Sequence, residues 1–432
     1  MTPDTLETRE PHTMRQSFNR RRFIKTTAAA STLWAVPYYI PSSAFGANET
    51  ILTGHIGVGG QGNGNLRRFS KHAVAICDVD KERLAKAVKS AESRGRSCVG
   101  YGDYRELLDR KDIDAVVVST PDHWHALASI HACQAGKDVY CEKPLTLTIG
   151  EGRQMADAAR ANKRIIQTGS QQRSAGNFRK ACELVRSGKI GKLKTVLVGI
   201  PGANHPGEPG PNSDPPSSLD YDFWLGPAPL RPYNVKRVHY NFRFFWDYSG
   251  GQMTNWGAHH IDIAHWGMGM DTSGPLSVEG TGVFHPKGWH EVTESCHITY
   301  KYPGGVTMIV GQGKKEVPSG TTFIGSEGTI HVNRGKLSST PGDIIKQELG
   351  TDDVHLYNSA NHHANFLDCI KTRKQPICNV EVGHRSATAC HLGNLAVRLG
   401  RKLNWDAEKE DFVDDKEASA IRTRPYREPY TV

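Results

Sequence analysis

The stretch Gly54-His55-Ile56-Gly57-Val58-Gly59-Gly60-Gln61-Gly62-Asn63-Gly64-Asn65 decides the fold of this 432-residue chain. Its glycines at 57, 59 and 62 make the pattern G-x-G-x-x-G, directly after the strand-like run Ile51 to Ile56 and before a segment able to turn helical. In a strand-turn-helix unit these glycines serve a tight turn, close approach of backbone to a pyrophosphate, and close packing of helix on strand, with the phosphates at the helix N-terminus. Gly57, Gly59, Gly60, Gln61 and Gly62 are therefore expected to face a dinucleotide. Sixteen residues past Gly62, Ala73-Val74-Ala75-Ile76-Cys77-Asp78 reads as a second buried strand ending in an acid, where a carboxylate binds the adenosine ribose hydroxyls. Asp78 favours NAD over NADP, because it would repel a 2′-phosphate.

The alternation continues. Lys81 to Glu92 has helical spacing, and Tyr101 to Leu108 suggests another short helix. Ala115-Val116-Val117-Val118-Ser119-Thr120-Pro121 is a β-branched run stopped by proline, a parallel strand whose ligand-facing end lies at Ser119 to Pro121. A helix over His125 to Ala135 follows, then Asp138-Val139-Tyr140-Cys141-Glu142-Lys143-Pro144. Strands alternating with helices predict a doubly wound sheet whose sites lie at strand C-termini. Thr120, Pro121, His125, Glu142 and Lys143 thus fall on the cofactor side.

Together, Gly57-x-Gly59-x-x-Gly62, Asp78, Thr120-Pro121-x-x-x-His125 and Gly136 to Pro144 resemble the Gfo/Idh/MocA oxidoreductase family. The likeness continues through Gly250-Gly251-x-x-x-Asn255-x-Gly257-x-His259-x-x-Asp262 and Phe323-Ile324-Gly325-Ser326-Glu327-Gly328-Thr329. The resemblance implies an α/β protein, with an N-terminal Rossmann dinucleotide-binding domain and a C-terminal α/β domain built on a large open, mainly antiparallel sheet. Strand-like runs after Gly188, separated by turns such as Pro303-Gly304-Gly305, agree with it. The expected division is 1–46, 47–188 and 189–432, with helices at Asn361 to Lys371 and Ser386 to Arg401 closing the last part. A homodimer or homotetramer follows from the family and its open sheet.

The resemblance also implies that a lysine like Lys143 and a histidine like His259 flank the reacting carbon, usually assisted by an acid four residues before the histidine. That acid is Asn255 here. An amide can orient an imidazole but cannot stabilise an imidazolium as a carboxylate does. Asp262, on the same helical face, is the candidate to support His259, and His260 competes for a substrate contact. Ten aromatics between Tyr221 and Tyr248 suggest a carbohydrate subsite, where Arg243 and Asp247 stand out as charged residues among rings. Six prolines and three glycines between Pro201 and Ser218 predict a long ordered loop.

Charge and cysteines narrow the class. The net charge is +9, but residues 1–46 hold six basic against three acidic residues, which leaves a mildly basic remainder of +6 and no nucleic-acid footprint. The nine cysteines are scattered without a C-x-x-C, and His123, His125, His362 and His363 lack the spacing of a metal site, so no metal is expected. Asn19-Arg20-Arg21-Arg22-Phe23-Ile24-Lys25, with the apolar run Thr26 to Tyr39, resembles a twin-arginine export signal and is too short for a stable membrane span. It predicts passage through the twin-arginine machinery, cleavage near Gly46, and a periplasmic or secreted protein that carries its NAD with it. The expected function is oxidation of a sugar or polyol hydroxyl. A redox-neutral NAD-dependent glycosidase on the same scaffold is the alternative, and a carbohydrate-binding protein with a vestigial site, suggested by Asn255, is the third.

Overall fold

Alternating β-branched strands and capped helices build the N-terminal half of the computed structural model, which describes residues 50–432. The expected signal segment, 1–46, lies outside the described residues. Strands β1 (Thr53–Ile56), β2 (Ala73–Cys77), β3 (Val99–Tyr101), β4 (Ala115–Val118), β5 (Asp138–Cys141) and β6 (Ile166–Thr168) form one parallel sheet in the order 3-2-1-4-5-6. That order reverses between β1 and β4, so a crevice opens there at the strand C-termini. Helices α1 (Gly60–Arg68), α2 (Lys81–Glu92), α3 (His125–Gln134) and α4 (Ile149–Ala161) connect the strands. Asp80 caps α2 by accepting from the Glu82 and Arg83 N–H groups, and Thr148 with Glu151 closes a capping box on α4.

The C-terminal half centres on a nine-stranded sheet. Its strands are β7 (Thr195–Ile200), β8 (Ser277–Val283), β9 (Ser295–Lys301), β10 (Thr307–Gln312), β11 (Gly320–Ile324), β12 (Thr329–Asn333), β13 (Lys336–Thr340), β14 (Leu403–Asp406) and β15 (Asp411–Phe412). All neighbours pair antiparallel except β7 with β10. Helices α5 (Gly176–Arg186) and α6 (Gly257–Met268) cover one face of it, burying Phe178, Leu184, Ile261 and Trp266 against Val196, Val198, Met308 and Phe323. Residues 201–218 run without regular secondary structure, as the prolines dictate.

The two halves interleave where the sequence suggested a clean division. Helix α7 (His362–Thr372) does not close the C-terminal sheet. Its Phe366, Cys369 and Ile370 pack on Ile51, Phe69, Ala115, Val117 and Tyr140 of the parallel sheet. Burying Phe366 there contributes about 1.5–3 kcal/mol, which ties late chain to early chain. Helix α8 (Val380–Leu399), capped by Asn379 and ended by left-handed Gly400, packs on both α4 and β8. The C-terminal segment also returns to the first half: the Gly150 N–H donates to Arg422 O at 3.0 Å, and Tyr430 meets the Trp124 ring edge-on at 5.5 Å. Among the described residues, no helix is long and apolar enough to cross a membrane, and all nine cysteines are buried and free.

Candidate active site

The turn between β1 and α1 can exist only with glycine at two positions. Gly57 has φ +82°, and a Cβ there would lie 2.9 Å from the Ser119 and Thr120 backbone. At Gly62 a Cβ would overlap the Gly57 carbonyl oxygen, so α1 rests directly on the turn. Asp78 buttresses the same turn: its carboxylate accepts from the Val58 N–H at 2.8 Å and the Asp80 N–H at 2.9 Å. Burial pushes the Asp78 carboxyl above its ordinary value, while these two N–H groups pull it down. The α1 N-terminus, the glycine turn and the acid together fit a dinucleotide, with backbone N–H groups for its phosphates and a carboxylate for its ribose.

This turn opens onto a cavity of about 640 Å³. Gly57, Gly59, Gly60, Gln61 and Asp78 line one end, and Lys143, Asn255, Trp256, His259, Arg243 and Arg334 line it as well, with Thr120, Pro121, Asp122, His125 and Glu142 also on the wall. Gly62 lies beneath the surface, where its task is packing.

Three polar wall residues, Glu142, His125 and Asp122, are fixed by hydrogen bonds. The Glu142 Oε1 accepts from three side-chain amides, Asn65 at 2.9 Å, Gln61 at 3.2 Å and Gln171 at 3.2 Å, pinning α1 to the end of β5. His125 places one ring nitrogen 2.9 Å from Pro144 O and the other 3.0 Å from Thr120 O, so it clasps the ends of β4 and β5. A singly protonated ring donates to only one of these carbonyls, and His125 lines the cavity on the side where a cofactor contact is expected. Asp122, which the sequence reading passed over although it follows Pro121 at the strand end, accepts from Ser249 Oγ at 2.6 Å. Burial pushes the Asp122 carboxyl up.

Lys143 and Asn255 meet directly: Lys143 Nζ donates to Asn255 Oδ1 at 2.8 Å, and Asn255 Nδ2 donates to Gln252 Oε1 at 3.0 Å. Gln252 is fixed in turn by its own donations to Gly202 O at 3.1 Å and Asn204 Oδ1 at 3.2 Å. Asn255 therefore positions the lysine and not the histidine, contrary to the sequence expectation. Burial lowers the Lys143 pKa against the opposing charges of Glu142 and Asp122, and Arg243 and Arg334 add to the lowering. His259 is held well below the usual histidine range by burial and then by Lys143 and Arg334, and its Nδ1 is buried without a hydrogen-bond partner. A neutral imidazole beside an ammonium can accept a proton from a hydroxyl while the ammonium holds the oxygen.

Three expected site residues stand elsewhere. Asp262, foreseen as the support of His259, is fully buried in an ion pair with Arg173, with Nε 2.8 Å from Oδ2, and also accepts from Ser386 Oγ at 2.7 Å. A buried guanidinium requires such carboxylates, and Arg173 takes a second from Asp271 at 2.7 Å. Asp247 is paired with Arg231 at 2.5 Å and does not line the cavity. His260 is buried, stacked on Trp256, and likewise off the wall. Of the four histidines weighed as metal ligands, His123 meets Trp224 O at 3.0 Å, His362 meets Thr168 O at 2.9 Å, and His363 stacks on Tyr140. His205, His285 and Glu294 do bring ligand atoms within 4.8 Å of one another. The Gly207 and Lys287 N–H groups donate to Nδ1 of His205 and His285, each at 3.2 Å, and Nε2 of His205 lies 3.0 Å from Glu294 Oε1.

Comparison with known proteins places this architecture. Residues 51–170 match the NAD-binding Rossmann fold of the Gfo/Idh/MocA oxidoreductase family, and residues 207–432 match its C-terminal alpha/beta domain. A glycosyl hydrolase family 109 protein of Shewanella pealeana is 29% identical over 202 residues, 40% of this chain and 44% of that protein. An inositol 2-dehydrogenase of Salmonella typhimurium is 30% identical over 149 residues, 33% of this chain and 44% of that protein. The chain thus spans less than half the length of these relatives. Among solved structures, the WlbA dehydrogenase from Bordetella pertussis, in complex with NADH and UDP-GlcNAcA, superposes with a TM-score of 0.61 at 18% identity, covering 83% of this chain and 99% of that one. The aldose-aldose oxidoreductase from Caulobacter crescentus, complexed with glycerol, gives 0.61 at 19% identity, over 82% and 100%. The chain, with its NAD-binding Rossmann domain and its mixed-sheet second half, belongs to the Gfo/Idh/MocA oxidoreductase family.

Proposed function

We propose that this protein oxidises a hydroxyl of a sugar or polyol at the end of the cavity formed by Lys143, Asn255 and His259. The observation that carries the proposal is the convergence on one cavity of the glycine turn and the Lys143–Asn255 pair, with a histidine kept neutral beside them. NAD, when bound, supplies the acceptor for the hydrogen on the substrate carbon. The chain's own residues do the rest. His259 accepts the hydroxyl proton, the Lys143 ammonium donates a hydrogen bond to the oxygen as it gains charge, and Asn255 holds that ammonium in place.

A second reading, in which oxidation is transient and assists glycosidic cleavage, is favoured by the similarity to a glycosyl hydrolase family 109 protein. Incubation with a panel of sugars and aryl glycosides separates the two. Free keto-sugar supports net oxidation, released aglycone supports the redox-neutral cycle, and neither product leaves carbohydrate binding alone.

The proposal includes export in folded form with NAD retained, on the strength of Arg20-Arg21-Arg22-Phe23-Ile24-Lys25, and assembly as a homodimer or homotetramer. Replacing Arg20 and Arg21 by lysine should keep the protein inside the cell in fractionation. Full activity restored only by added NAD after simple dialysis would refute retention, and a monomer by light scattering would refute assembly.

A further inference from the structure

Three cations, Lys143, Arg243 and Arg334, line the cavity near His259, and none makes an ion pair among the described residues. Lys143 donates to an amide. Arg243 lies over the Tyr240 ring, 3.8 Å from its centroid, and donates to the Tyr240 carbonyl. Arg334, on the exposed turn between β12 and β13, lies 4.7 Å from the Trp256 ring centroid, the one contact of its guanidinium among the described residues. Lys143, Arg243, Arg334 and His259 all line the one cavity, so the charges face a common space. Hydrogen bonds to neutral groups leave the charges of Asp122 and Glu142 in place, and these carboxylates act on Lys143 and Arg243, so Arg334 is the cation of the three that no carboxylate among the described residues answers.

A guanidinium on a cavity wall with no carboxylate to answer it is open to a ligand that brings the counter-charge. The dinucleotide phosphates belong at the glycine turn and the α1 N-terminus, so they do not answer the charge beside Trp256 and His259. We infer that the carbohydrate this site accepts carries a carboxylate, received by the Arg334 guanidinium at the cavity mouth with Arg243 reinforcing it. The planar guanidinium fork matches a carboxylate with two parallel N–H···O bonds, and its unblocked position on Trp256 leaves that fork free. Trp256, backed by the stacked His260, holds the guanidinium in place. The inference rests on the proposed function for the location of the reacting end.

The test is calorimetric binding of methyl glucuronide, methyl glucoside and glucose 6-phosphate to the NAD-loaded protein, with keto-sugar formation followed separately. The glucuronide should bind about 10- to 100-fold more tightly than the glucoside, the scale of a charge-assisted bidentate pair. Arg334→Gln should abolish most of that preference, and Arg334→Lys should restore part of it, while the NAD dissociation constant measured by tryptophan fluorescence shows that the fold is intact. Equal affinity for glucuronide and glucoside, no binding of either, or a preference that survives Arg334→Gln, overturns the inference. Stronger binding of the sugar phosphate than of the glucuronide overturns the carboxylate assignment. Arg334-dependent binding of glucuronide without any keto-sugar sinks the proposed oxidation and leaves the inference standing; oxidation of neutral sugars with no affinity for glucuronide does the reverse.

Discussion

Asn255→Asp tests the electrostatic design of the site, because it replaces the neutral acceptor of the Lys143 ammonium by a charged one with almost no change in shape. At the observed 2.8 Å and an effective dielectric constant of about 20, a full charge pair gains at most about 6 kcal/mol, equivalent to about 4 pH units. Desolvation of the new carboxylate and the lost donation to Gln252 Oε1 offset much of this, so the Lys143 pKa should rise by about 1–3 units. The sign follows from the charge. Burial now favours the neutral amine, and an adjacent carboxylate favours the ammonium. If the ammonium is the active form, the alkaline limb of the kcat/KM profile is its deprotonation, and it should move up by the same about 1–3 pH units. Asn255→Ala, which removes the acceptor altogether, should move the limb down. The assay is single-turnover reduction of bound NAD across the pH range in the three proteins. An alkaline limb at the wild-type position in both variants would show that Asn255 does not set the state of Lys143.

Two further predictions follow from buried groups. Gly62→Ala must force the Gly57 carbonyl away from α1, so it should cost about 1–3 kcal/mol of stability and weaken NAD binding at least about tenfold; unaltered NADH fluorescence titration would contradict the packing described for the turn. Burial holds His55, His123 and His362 each at a pKa of about 3, against an unfolded value near 6.5. Between those values the unfolded chain binds more protons, so their contribution to stability is present above about pH 6.5 and is lost as pH falls. At pH 5 the loss is about 2 kcal/mol for each, about 6 for the three, comparable with the whole stability of an ordinary domain. Thermal unfolding should therefore show a much lower midpoint at pH 5 than at pH 7.5, and a flat profile would refute the burial of these rings as neutral imidazoles.

Local signals in the sequence located the cofactor end, because there each residue's role depends on its chain neighbours. Gly57, Gly62 and Asp78 meet within one strand-turn-helix-strand unit, and the helix over Lys81 to Glu92 has the bounds its spacing predicts. The far end is assembled from distant pieces. Nothing near Asp262 reveals that Arg173, 89 residues earlier, will claim its carboxylate, and nothing near Asp247 announces Arg231. Helix α7 carries an amphipathic pattern that fits either sheet, and only the meeting of Phe366 with Phe69 and Tyr140 decides between them. Arg334 sits on an ordinary turn, Asn333-Arg334-Gly335, and becomes a wall residue only because β12 and β13 bring it over Trp256.

The most direct measurement traces hydrogen. NAD-loaded protein is incubated with sugars and uronates deuterated at the ring carbons, and the nicotinamide is examined by mass spectrometry after rapid quenching. Deuterium on the nicotinamide, lost in Lys143→Met and His259→Ala, is the predicted result, with keto-sugar accumulating in net oxidation and deuterium returning to the sugar in the redox-neutral cycle. A cofactor free of deuterium with every sugar bound by the protein, and ring C–D bonds intact, would contradict an oxidoreductase acting at Lys143 and His259.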